Sequence, residues 1–195
     1  MTQTPLRSIP HTWGSTAAER RRWFVCDDHL PAADTAYYRA VDVQAPPEIV
    51  FRWLCQLRAA PYSYDWIDNF GRRSPTELTP GLDELEVGQS VMTIFELVEF
   101  QRDRHLTIRL KRRVRRLAGD FACTYLVLPV APGRSRLVVK LLVRYPRARP
   151  LGAIAGALLP TGDLVMMRKQ LLTLKRLAED QAPRVAASSA YRNEP

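Results

Sequence analysis

Leu164-Val165-Met166-Met167-Arg168-Lys169-Gln170-Leu171-Leu172-Thr173-Leu174-Lys175-Arg176-Leu177-Ala178-Glu179 is the most strongly periodic stretch of the sequence. Leu164, Met167, Leu171, Leu174 and Ala178 recur at three and four residues, opposite Arg168, Lys169, Thr173, Arg176 and Glu179. The spacing predicts a long amphipathic helix with one apolar stripe, and Thr161 or Asp163 is suited to cap its start. Such a stripe must be buried against a broad apolar partner.

The residues upstream supply that partner as strands. Arg136 to Tyr145 places Leu137, Val139, Leu141, Val143 and Tyr145 on one side, with Arg136, Lys140 and Arg144 on the other, broken by Val138 and Leu142. Phe121 to Val130 precedes it across Ala131-Pro132-Gly133-Arg134-Ser135, a break suited to a hairpin. In Arg104 to Arg112, Leu106, Ile108 and Leu110 alternate with His105, Thr107, Arg109 and Lys111, and Val87 to Phe100 reads as a further strand. The alternation predicts one buried sheet face and one that is largely wet and basic.

Further upstream, Arg72 to Glu86 reads as a long connection, and Tyr62 to Gly71 as a loop with one short helix. Val50, Trp53, Leu54 and Leu57 form a buried helical stripe that Pro46-Pro47 starts and Pro61 ends. Tyr37 to Val43 is rich in aromatic and β-branched residues and predicts the first strand. Before it, Thr16 and Glu19 have the spacing of a capping box for a short helix.

The composition is that of an ordinary soluble globular chain: 195 residues, 46% hydrophobic and 25% charged. A chain of this size hides roughly 70% of its unfolded surface, which makes room for a core with a cavity and removes the need for a covalent staple. Cys26, Cys55 and Cys123 are odd in number and far apart, so neither a disulfide framework nor a zinc site is indicated, and a reducing, cytoplasmic setting is expected. The uncharged segment from Pro150 to Gly162 is too short to cross a bilayer, and residues 1–10 contain no secretory apolar run. A formal charge of +9 raises nucleic acid, anionic membrane and acidic partners as classes to test.

Strand, two short helices, a run of antiparallel strands and one long final helix make an α+β arrangement. With it in view, four stretches resemble the START-like or SRPBCC superfamily in its polyketide cyclase/dehydrase and lipid-transport branch. They are Trp13-Gly14-Ser15-Thr16 with Glu19; Val43-Gln44-Ala45-Pro46-Pro47-Glu48-Ile49-Val50-Phe51-Arg52-Trp53-Leu54-Cys55-Gln56; Tyr62-Ser63-Tyr64-Asp65-Trp66-Ile67-Asp68-Asn69; and Met166 through Glu179. The resemblance implies a helix-grip fold, a curved antiparallel sheet wrapped around the C-terminal helix. It places the domain at residues 35–182, after an N-terminal extension at 1–34 and before a tail at 183–195 whose composition predicts disorder. It also implies an apolar cavity for a hydrophobic small molecule such as a lipid or polyketide. It carries no catalytic motif with it, and the glycine-rich loop of the plant allergen-like members has no counterpart here.

With the cavity between sheet and helix, its expected lining is Trp53, Tyr62, Tyr64, Trp66, Phe70, Phe95, Leu106, Ile108, Tyr125, Leu141, Met167 and Leu171. Plain core packing calls for the same residue types at these places. Asp65 and Asp68 read as surface caps; Glu96 or Glu99 could place an acid in the cavity; His105 falls on the polar face. A carrier or sensor needing no metal or other cofactor is the leading expectation. A cyclase or aromatase that moves protons with Tyr62, Tyr64 or Glu96 is the alternative. The basic residues Lys111, Arg112, Arg113, Arg115 and Arg116, with Arg109, Arg136, Lys140, Arg144, Arg147 and Arg149, suit peripheral contact with an anionic membrane. Nucleic acid is disfavoured, because no aromatics are interleaved for base stacking.

Overall fold

The computed structural model describes residues 9–68, 71–146 and 149–192. Three short helices, α1 (Ile9–Thr12), α2 (Ala17–Arg20) and α3 (Cys26–His29), lead into strand β1 (Thr35–Val43). Helix α4 (Pro47–Cys55), a 3-10 turn at Gln56–Arg58 and helix α5 (Asp65–Asp68) follow. Then come β2 (Ser90–Val91), β3 (Phe95–Gln101), β4 (His105–Leu110), α6 (Arg112–Ala118), β5 (Asp120–Ala131), β6 (Arg134–Arg144) and α7 (Arg149–Arg192). The strands form one antiparallel sheet in the order β1-β6-β5-β4-β3-β2. The last strand, β6, thereby lies between β1 and β5, and α7 packs across the sheet against β1 and α4. This is the helix-grip architecture.

The inner face is built by strict alternation. Tyr37, Val41 and Val43 of β1, Leu106 and Ile108 of β4, Cys123, Tyr125 and Val127 of β5, and Leu137, Val139, Leu141 and Val143 of β6 share one core with α4 and with Leu171, Leu174, Leu177 and Ala178 of α7. Pro47 opens α4 as its first helical residue, where the missing N–H costs nothing, and Ile49, Val50, Phe51, Trp53, Leu54 and Cys55 are all buried. Pro132 and Gly133 turn β5 into β6, with Gly133 at φ +69°.

The outer face departs from expectation. It is not a wet basic surface, because the N-terminal extension covers it: Phe24, Cys26 and Leu30 are buried against Ala40, Ala122, Val138 and Leu142. The interruptions at Val138 and Leu142 are therefore the seat of a second, smaller core. The strand cations meet partners there: Lys140 Nζ reaches Asp27, Arg136 Nε donates to Glu19 at 2.8 Å, Arg144 Nε donates to the Ala32 carbonyl at 2.8 Å, and Arg109 pairs with Asp120. His105 is buried rather than wet, and burial pushes its imidazole below the ordinary range. Arg112, Arg113 and Arg116 stay exposed on α6, a helix rather than a strand end, whereas Arg147 lies outside the described residues.

Three further boundaries differ. Val87 to Phe100 is a hairpin rather than one strand, turned at Met92 and Thr93 with φ +43° and +63°. No glycine or asparagine announces that turn. Helix α7 begins at Arg149, so neither Thr161 nor Asp163 caps it; the alanine- and leucine-rich residues after Pro150 are good helix formers. Helical backbone also continues to Arg192, into the stretch expected to be a disordered tail, where alanines are frequent. Among the described residues, no helix is long and apolar enough to cross a membrane.

The capping box at α2 is present, with Thr16 N donating to Glu19 at 2.7 Å and Glu19 N to Thr16 at 3.2 Å. Burial acts to raise the Glu19 pKa, but the hydrogen bonds from Arg136 and Thr16 overcome it and leave the carboxyl below its ordinary value. A lowered folded pKa adds stability that is present above the unfolded carboxylate pKa and lost as pH falls through the folded value. Glu19→Gln is accordingly expected to cost about 1 kcal/mol at pH 7 and progressively less toward pH 3, read by urea denaturation of both proteins across that window.

Candidate functional site

Between the inner sheet face and α7 lies a cavity of about 430 Å³, within the range that small-molecule sites occupy. Phe121, Cys123 and Tyr125 reach it from β5, Ile108 from β4, Leu141 from β6 and Phe95 from β3. The Met92-Thr93-Ile94 turn and Pro61 with Ser63 form another part of the wall. Thr93 and Ile94 are exposed, which places the opening beside that turn. The helix contributes Asp163, Met166, Met167 and Gln170, which recur at helical spacing on one side of α7. Alternation aims the strand residues inward, and left-handed backbone at Met92 and Thr93, which non-glycine residues rarely adopt, turns the chain at the cavity wall.

The wall is mostly apolar, with a few organised polar groups. Asp163 Oδ2 accepts from Arg39 Nη2 at 2.7 Å, and Arg39, on the inner side of β1, also donates to the Tyr38 carbonyl at 2.8 Å. Arg39 is only 1% exposed, so this is a buried ion pair tying β1 to α7. Burial pushes the Asp163 carboxyl above its ordinary value against the opposing pull of Arg39. Gln170 Nε2 donates to the Pro61 carbonyl at 2.7 Å, and Tyr125 Oη donates to Gln170 Oε1 at 2.8 Å. Ser63 Oγ donates to the Met166 carbonyl at 3.1 Å. Burial drives the Cys123 thiol and the Tyr125 phenol well up, so both are neutral at ordinary pH.

Of the residues expected at the cavity, Phe95, Ile108, Tyr125, Leu141 and Met167 line it. Trp53 and Tyr62 instead pack on each other behind it, ring centroids 6.1 Å apart at 84°. Leu106 and Leu171 are likewise core residues. Tyr64 is half-buried outside the lining, and Trp66 is 76% exposed, because the short helix α5 turns its indole outward. Phe70 lies outside the described residues. Asp65 holds Ser74 through its backbone N–H and hydroxyl, a local clasp rather than an acid–base site. Glu96 meets Arg115 and Glu99 meets His29, each at 3.4 Å and away from the cavity.

Sequence reading missed Asp163 and Gln170 in the wall, and Arg39 behind it. A signal existed: Asp163 sits four residues before Met167 and Gln170 three after it, in phase with the apolar stripe, and Arg39 sits between Tyr37 and Val41 in the buried phase of its strand. Charges at buried phases on two elements call for each other. The turn residues Met92 to Ile94 had no such signal. Among the described residues, no group of histidine, cysteine, aspartate or glutamate is arranged to hold a metal ion.

Comparison with known proteins bears on the fold. No protein-family model and no curated protein matches the sequence. Among solved structures, the chain is similar to the di-domain ARO/CYC StfQ from the steffimycin biosynthetic pathway, with 11% identity and a TM-score of 0.51 over 80% of this chain and 54% of that one. This chain thus corresponds to about half of that two-domain protein. A protein from Chromobacterium violaceum aligns at 16% identity and a TM-score of 0.48, covering 74% of this chain and 96% of that one. An HSP90 activator from Plasmodium falciparum aligns at 14% identity and a TM-score of 0.44, covering 71% and 95%. At these identities the likeness is one of fold alone, the helix-grip fold.

Proposed function

We propose that this chain binds one small or medium hydrophobic molecule in the cavity between its sheet and α7, as a carrier or sensor. The observation that carries the reading is a mostly apolar cavity of about 430 Å³ between α7 and a sheet face whose other side chains are buried in one core. A ligand burying on the order of 200 Å² of apolar surface there gains about 5 kcal/mol before ordering costs. The likeness to the di-domain ARO/CYC StfQ is compatible with the cavity but assigns no reaction, because fold and chemistry are separable. A cyclase reading also loses the residues first expected to move protons, since Tyr62, Tyr64 and Glu96 do not line the cavity.

The test is uptake of an uncharged apolar dye such as Nile red. The wild-type protein is expected to enhance its fluorescence saturably at one site per chain. Ile108→Trp, which projects an indole into the cavity, should weaken that uptake at least tenfold while leaving the far-ultraviolet circular dichroism unchanged. Saturable uptake that ignores Ile108→Trp would put the dye elsewhere and remove the support for this reading.

A further inference from the structure

Near Asp163 on α7, the protons of Gln170, Tyr125 and Ser63 are already committed, and this constrains what can enter; the wall's other side-chain donors are the Thr93 hydroxyl at the exposed turn and the weakly donating Cys123 thiol. The Pro61 carbonyl can only accept a hydrogen bond, so the group 2.7 Å from it must be the Gln170 amide nitrogen, which fixes the orientation of that side chain. Its other N–H points to Met92 Sδ at 3.4 Å. Oε1 therefore faces Tyr125, and the tyrosine hydroxyl must give its proton to it. The Ser63 proton goes to the Met166 carbonyl. Asp163 pairs with Arg39 as a carboxylate through Oδ2, and among the described residues Oδ1 has no hydrogen-bond partner.

What these groups retain for a guest is lone pairs. Asp163 Oδ1 is the strongest acceptor, because it carries charge and its counter-ion lies behind the wall rather than in it. Met166 and Met167 follow it on the helix, and Gln170 lies two turns further on, about 10.5 Å along the axis. A guest lying along α7 would thus meet a carboxylate at one level, thioethers at the next and a closed amide–phenol pair beyond.

We infer that the ligand is an apolar molecule carrying a hydroxyl or amine that donates to Asp163, and that apolar carboxylates of the same size are rejected. This rests on the cavity reading above and sharpens it. At the Asp163 end an acceptor-only ligand head would face lone pairs with lone pairs, and a carboxylate there would also meet the negative end of the Arg39–Asp163 pair in a poorly solvated space. Burial already raises the Asp163 pKa, a sign that its charge is undersolvated and that a donor arriving at Oδ1 would satisfy it. The net charge of the chain works the other way: at +9 it favours anions at long range, so a preference for amine over carboxylate would have to come from the site.

The experiment displaces Nile red with dodecylamine, 1-dodecanol and dodecanoate, each below its micellar concentration, at pH 7 and physiological salt. The amine and the alcohol are expected to displace the dye at concentrations at least tenfold below the carboxylate. Asp163→Asn, which keeps an acceptor for Arg39 but removes the negative charge, should shrink the amine-to-carboxylate ratio to within threefold. If that variant does not fold, the double replacement Arg39→Met with Asp163→Leu removes the pair together and should abolish the amine preference. Dye uptake by the wild type with dodecanoate displacing as well as dodecylamine overturns this inference and leaves the cavity reading standing. No dye uptake, and no binding of any of the three amphiphiles by calorimetry, overturns both.

Discussion

Asp163→Ala should destabilise the protein by about 3–5 kcal/mol, far more than loss of a surface ion pair would. The reason is what stays behind. Arg39 is 1% exposed, its Nε already lacks a partner, and its remaining support is the Tyr38 carbonyl at 2.8 Å and the Tyr37 ring 5.6 Å from the guanidinium carbon. Removing the carboxylate leaves a buried cation without its counter-charge on a strand beside the final helix. The same reasoning makes the double replacement Arg39→Met with Asp163→Leu mild, within about 1 kcal/mol of the starting protein, since neither charge then has to be desolvated. Urea denaturation of the single and double variants measures both. A single variant that loses less than 1 kcal/mol would mean that the Arg39 head reaches water, and the pair would then be no link between β1 and α7. A costly double variant would instead identify the charges themselves as what fixes the seat of the helix.

This pair also marks where the sequence stops being legible. The inner face could be read residue by residue, because a strand repeats every two positions and a helix every three or four, and Leu137, Val139, Leu141 and Val143 keep that rhythm without a break. Pro46-Pro47 announced α4, and Thr16 with Glu19 announced α2, since caps are local chemistry. The outer face was misread because its partner is remote in sequence. Lys140 and Arg136 look solvated until Asp27 and Glu19 are brought back over them by more than a hundred residues of intervening chain. Val138 and Leu142, which spoiled the alternation, were the trace that the cover left behind. At the cavity, aromatic rings drew the eye to Tyr62, Tyr64 and Trp66, yet ring-rich sequence alone does not say whether a side chain fills the core, faces solvent or borders a space. The lining instead drew on Met92, Thr93 and Ile94, whose turn depends on backbone at positive φ that the residue types disfavour.

A chain beginning at residue 35 should be crippled, even though it retains every strand and the whole of α7. Removing residues 1–34 takes away Phe24, Cys26 and Leu30, which are 2%, 0% and 1% exposed, and opens Ala40, Ala122, Val138 and Leu142 to water. Phe24 and Leu30 each contribute about 1.5–3 kcal/mol by burial, so their loss alone comes to about 5 kcal/mol, against the roughly 5–15 kcal/mol of a typical domain. Polar losses compound it. The Cys26 amide donates to Thr124 Oγ1 at 2.9 Å, Lys140 loses Asp27, and Arg136 loses both Glu19 and the Gly14 carbonyl, to which it donates at 2.6 Å. The fragment is expected to aggregate or to melt at least 10 °C below the full chain, measured by calorimetry at matched concentration. Gly14→Ala gives the graded version within the intact chain. Gly14 has φ +73°, and an added Cβ would sit 2.1 Å from the Ala40 carbonyl oxygen, a backbone atom that cannot swing aside. The extension must then lift from β1, disturbing the bond from Ala40 N to the Trp13 carbonyl, at a cost of about 2 kcal/mol. Equal melting of fragment and full chain would make the extension an appendage. Large losses in both variants would make it the second layer of the fold, backing the sheet whose other face borders the cavity.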